Sequence, residues 1–152
     1  MSLFRIPAAA AASMLMLAAA DAADPQTIAR GKQVYVDHCA ACHGANLEGQ
    51  PNWRERRPDG KLPAPPHDAS GHTWHHPDEQ LFDITKRGTA ALVDGDYKTD
   101  MREFGSLLSD ADIRAALAYI KSTWPPEIRA RHDHINERQR AVAPPKVTPP
   151  QK

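Results

Sequence analysis

Cysteine is nearly missing from this 152-residue chain, since Cys39 and Cys42 are the only two. A third thiol for a competing disulfide is absent, and a zinc site would lack the second Cys-x-x-Cys pair that usually completes it. Net charge of either sign is missing as well. Nineteen Lys and Arg balance nineteen Asp and Glu, so no overall field recruits nucleic acid or an acidic membrane surface, and partners must be recognised locally. A long apolar run is also lacking. The run of Ala, Ser, Met and Leu from Ala8 to Ala20 holds thirteen residues, short of the roughly 20 that cross a bilayer, so no stable membrane insertion is expected. No internal repeat occurs, and no segment alternates apolar and polar residues as a half-buried strand does. Fold class is therefore expected to be all-α, with long irregular loops imposed by fourteen prolines.

The chain opens with Arg5 in an otherwise uncharged stretch, followed by the Ala8 to Ala20 run and small residues up to Ala23. That pattern is a signal peptide, residues 1–23, with cleavage sites open between 20 and 23. No cysteine lies near the cut, which excludes lipid attachment there. The expected location is the periplasm. About 130 residues then remain, enough for one small domain and not for two.

Within that domain, expected to run over residues 24–125, three helices are legible. Asp24-Pro25 offers an N-cap and a first-turn proline, and Ile28, Gly31 and Tyr35 share a face of the helix that leads to Cys39. A second helix is predicted from Pro77 to Lys86, with Gly88 just beyond its end. The third begins after Ser109, carries Asp110 and Asp112 in its first turn, and repeats Ile113, Ala116, Leu117 and Ile120 at helical spacing. Between the first two, residues 44–74 contain Pro51, Pro58, Pro63, Pro65 and Pro66 and must form a long loop, a length that usually serves a site. Pro125-Pro126 stops the third helix. Residues 126–142 form a charged extension able to continue as helix, read by default as a solvated appendage. Residues 143–152, with four prolines and two lysines, have nothing to bury and are expected to be a disordered tail.

Cys39-Ala40-Ala41-Cys42-His43 is the attachment signature of a c-type haem. Two thiols at this spacing can each form a thioether to a haem vinyl group, and the histidine that follows is placed to ligate the iron. A second axial ligand decides whether such a haem carries electrons or binds substrate. Met1, Met14 and Met16 belong to the leader, which leaves Met101 as the thioether of the mature chain. It lies in a polar segment, Lys98 to Gly105, with no apolar face of its own. Met101 is therefore the expected second ligand, opposite His43, and a sulfur there raises the reduction potential and closes the iron to exogenous ligands.

Over about residues 25 to 125 the chain resembles the class I monohaem cytochrome c family. The resemblance rests on Gly31 and Tyr35 ahead of the Cys-x-x-Cys-His, on Tyr119 in the last helix, and on the order of Met101 before that helix. It implies that the first and last helices cross, with Gly31 and Tyr35 near Ala116 and Tyr119. It further implies a prolyl carbonyl as partner of the His43 ring, with Pro65 favoured over Pro66. Apolar haem walls would come from Leu62, Leu81, Phe82, Ile84, Tyr97, Phe104 and Leu117, and Trp74 is a candidate partner for a propionate. Two departures stand out. Arg102 replaces the proline that many relatives carry after the methionine, which leaves the stiffness of that loop open, and Ala116 is smaller than the usual leucine.

His67, His72, His75 and His76 crowd into ten residues and constitute a rival signal for copper or zinc. No fitting partner set accompanies them, so exposed-loop or propionate-contact roles are the default; His132 and His134 are weaker candidates still. Arg54, Arg56, Arg57 and Lys61 form a basic loop that could orient a redox partner. The functional expectation is a monomeric periplasmic one-electron carrier that meets redox protein donors and acceptors transiently. Alternatives are a haem subunit of an oxidoreductase complex and an open-site haem sensor or enzyme.

Overall fold

The structure is a computed structural model in which residues 23–142 are described. The leader and the proline-rich tail of the sequence reading lie outside those residues. The described chain contains five α-helices and no strand: α1 Pro25–His38, α2 Ala40–His43, α3 Asp78–Arg87, α4 Asp110–Ser122 and α5 Pro126–Val142. Two short 3-10 turns, Thr73–His75 and Thr89–Ala91, interrupt the loops. The all-α expectation holds.

Local chemistry accounts for the helix ends. The Asp24 carboxylate accepts from the backbone N–H groups of Gln26 (2.9 Å) and Thr27 (3.0 Å), satisfying donors that a helix start leaves open. Ser109 does the same for α4 by accepting from Asp112 N–H at 3.1 Å. The α3 helix begins one residue later than predicted, because Pro77 takes the cap position and has no side chain to offer. Its first N–H, that of Asp78, instead donates to Asn136 Oδ1 of α5 at 2.8 Å.

Helices α1 and α4 form the central crossing. A Cβ on Gly31 would sit 1.9 Å from the Ala115 carbonyl oxygen and 3.0 Å from Tyr119 Cβ, so glycine is what permits this backbone approach. Tyr35 packs on Tyr119 with ring centroids 5.6 Å apart, and its hydroxyl donates to the Gly44 carbonyl at 2.8 Å. Arg30 and Asp112 add an ion pair across the same crossing at 2.8 Å. Two apolar clusters flank it. One joins Val34, Phe82, Phe104, Leu108, Ile113 and Ala116; the other joins Tyr35, Leu47, Ile120 and Trp124. Leu117 touches both.

The α5 helix corrects the sequence reading. It is not a solvated appendage: His132 is fully buried and Asn136 is nearly so. The His132 ring meets the Trp124 ring edge-on at 5.0 Å and its Nε2 lies 3.1 Å from the His76 carbonyl oxygen. The helix therefore docks through polar residues, which an apolar pattern does not register. Ile128, His132, Ile135 and Asn136 do recur at helical spacing, and that stripe was the available signal.

Candidate haem site

Cys39 closes α1 and precedes α2, and its thiol is partly buried while that of Cys42 is exposed; both are free. Burial pushes the Cys39 thiol up to about 11. The helical turn of α2 carries His43, which is buried, and its Nδ1 lies 2.8 Å from the Pro65 carbonyl oxygen. That contact selects Pro65 over Pro66. It also makes Nδ1 the protonated nitrogen and leaves Nε2 as the one able to ligate a metal. Burial lowers the His43 pKa, against the pull of the Pro65 carbonyl, and so favours the neutral ligand form. The Pro65-Pro66 segment is itself pressed into place: a Cβ on Gly49 would lie 2.7 Å from the Pro65 carbonyl carbon. Gly49 N–H in turn donates to the His43 carbonyl at 2.7 Å.

His67 departs from the surface role assigned to it. Its ring stacks on that of His43, centroids 4.0 Å apart and planes 26° apart, and Nδ1 lies 2.8 Å from Thr73 Oγ1. The His67 carbonyl accepts from Trp124 Nε1 at 2.7 Å, which ties the end of α4 to the loop. Burial holds its pKa well below the ordinary histidine value. The neighbouring histidines pair differently, His72 stacking on Trp53 at 5.2 Å and His75 meeting the Trp74 ring at 3.7 Å. Among the described residues no group of three or more His, Cys, Asp or Glu is arranged to hold a metal ion.

Met101 is partly buried and packs against the cluster that contains Phe82, Phe104, Leu108 and Ile113. Phe104 is buried within that cluster, and its N–H donates to the Thr85 carbonyl at 3.1 Å, anchoring the loop after Met101 to α3. Tyr97 lies beneath the Arg56 guanidinium, 5.5 Å from the ring centroid. The buried Trp74 Nε1 has no hydrogen-bond partner among the described residues, whereas Arg57 Nε stands 3.6 Å from Asp59 Oδ1. Unmet buried N–H groups are costly and call for an acceptor. The Trp74 indole N–H fits a carboxylate of a haem, which carries two propionates, and Trp74 is the expected contact.

A cytochrome c family model matches residues 28–124. The chain belongs to the cytochrome c family. Its cofactor is the haem c that this family binds covalently, and its function is haem-based electron transfer. Among curated relatives, a nitrite reductase of Stutzerimonas stutzeri is 30% identical over 127 residues, covering 76% of this chain and 20% of the relative. The cbb3-type cytochrome c oxidase subunit FixP of Azorhizobium caulinodans is 30% identical over 94 residues, covering 62% of this chain and 28% of the relative. The chain thus spans less than a third of either. Among the described residues of this cytochrome c, no helix is long and apolar enough to cross a membrane.

Proposed function

We propose that this cytochrome c is an exported, monomeric one-electron carrier of the periplasm. Cys39 and Cys42 would hold the haem by thioethers, with His43 and Met101 as its axial ligands. When bound, the haem supplies a single Fe(III)/Fe(II) couple. The chain's own residues set how that couple behaves. The observation that carries the reading is the Pro65 carbonyl on His43 Nδ1, which fixes the ring and its tautomer. Trp74 would donate to a propionate, while Phe104, Tyr97 and Leu117 would wall the haem from water. A Met101 sulfur bound to the iron would leave no place for oxygen or substrate, which would suit a carrier rather than an enzyme. Partners would be redox proteins met through a small transient surface.

A second reading, a haem subunit of a larger oxidoreductase, is favoured by the relatives, both of which are much longer than the matched segment. Spectroscopy tests the ligand assignment. Oxidised wild-type protein should show a weak red sulfur-to-iron charge-transfer band, and its reduced form should refuse carbon monoxide. Met101→Ala should lose the band and bind carbon monoxide; persistence of the band in that variant would refute the assignment. Co-purification of a stable partner from the native host would favour the second reading.

A further inference from the structure

The segment that carries Met101 is poorly tethered by its own backbone. After Leu92 N–H, which donates to Thr89, the next backbone N–H paired to another backbone carbonyl is that of Phe104, on Thr85. Between them Met101 N–H reaches only the Thr99 hydroxyl, at 3.0 Å. The Arg102 guanidinium lies over the Phe104 ring, 5.3 Å from its centroid. What spans the gap is a side-chain seam to the long loop. Asp100, adjacent to Met101, accepts from Arg57 Nη2 and from Lys61 Nζ, the latter at 2.5 Å. The two cations stand side by side because Arg57 N–H donates to the Lys61 carbonyl at 2.9 Å, closing a tight turn. Arg56 over Tyr97 makes a second contact between the same loops.

Resting on the assignment of Met101 as an axial ligand, we infer that Asp100 is a positioning residue, clamped by Arg57 and Lys61 so that the methionine loop stays closed over the haem. Arg57 has a double part. Its Nη2 holds Asp100 while its Nε stands 3.6 Å from Asp59 Oδ1, so one guanidinium joins the turn of its own loop to the Met101 loop. Planar, fixed donors suit arginine to that bridging.

Imidazole binding to the oxidised holo-protein measures loop opening, because imidazole must displace the methionine. Exposed ion pairs are individually weak, so Asp100→Asn should speed this step by about three- to tenfold. About 1 M salt should speed the wild type similarly by screening the clamp and leave Asp100→Asn unchanged. Lys61→Gln, which keeps Arg57 on Asp100, should give a smaller increase and serves if Asp100→Asn fails to mature. An unchanged imidazole rate in these variants would overturn the inference, as would lowered thermal stability without a faster imidazole step. Failure of the ligand assignment itself is distinguishable, since the red band would then survive Met101→Ala.

Discussion

Gly31→Ala isolates the α1 and α4 crossing. A Cβ there would lie 1.9 Å from the Ala115 carbonyl oxygen and 2.5 Å from its carbon, more than 1 Å inside the roughly 3.3 Å at which such atoms touch. Backbone cannot swing aside as a side chain can. The two helices must part, loosening Val34, Tyr35, Ile113 and Ala116, all buried at or beside the crossing. Overpacking of this kind costs about 1 to 3 kcal/mol, and the upper end applies where backbone is the obstacle. Alanine returns about 1 kcal/mol through its better helix propensity. The balance is a loss of about 2 kcal/mol, or about 8 °C in the melting temperature of a domain of roughly 120 residues. Thermal unfolding of the holo-protein, followed by far-ultraviolet circular dichroism, measures it. A variant as stable as the wild type, or more so, would mean that propensity outweighs contact and that the helices do not meet at Gly31.

Trp74→Phe removes the unpartnered indole N–H while keeping a ring; it should destabilise the holo-protein by about 1.5 to 3 kcal/mol, the value of a hydrogen bond to a charged group, and lower the reduction potential. If neither changes, Nε1 does not face a propionate. Asn136→Ala should cost about 1 kcal/mol by leaving the first N–H of α3 without its cap, read by denaturant unfolding. His132 should make docking of α5 pH-dependent. Burial depresses its folded pKa, with Lys121 acting the same way and Asp78, Asp133 and the His76 carbonyl opposing. The unfolded chain therefore takes up the proton more readily, so the stabilisation is complete above the ordinary histidine value and is lost as pH falls below it. Melting temperatures at pH 8 and pH 5 should differ more for wild type than for His132→Gln; equal differences would show that another group titrates.

What was legible in the chain was whatever neighbouring residues dictate. Asp24-Pro25, Ser109 and Gly88 mark helix ends through local hydrogen bonds and backbone geometry, and α1, α3 and α4 fall within a residue or so of expectation. Cys39, Cys42 and His43 needed only their spacing. The features that escaped depend on residues far apart in sequence. His67 belongs to a proline-rich loop, and nothing local announces that its ring stacks on His43. Asp100 meets Arg57 and Lys61 across 43 and 39 positions, so the basic loop is in part turned onto the segment that carries Met101. The α5 helix escaped for another reason: it buries a histidine and an asparagine where a pattern search counts leucines.

That last helix sets an order of events. Asn136 and His132 reach back 58 and 56 positions to Asp78 and His76, so neither contact can form before α5 has been made. A polypeptide delivered from its N-terminus exposes Cys39 and Cys42 long before residue 132 arrives. Until then α3 lacks its cap and Trp124 lacks the His132 ring against it. The domain thus stays unfinished until α5 closes on Asp78 and His76, the last described element that a chain made from its N-terminus can add.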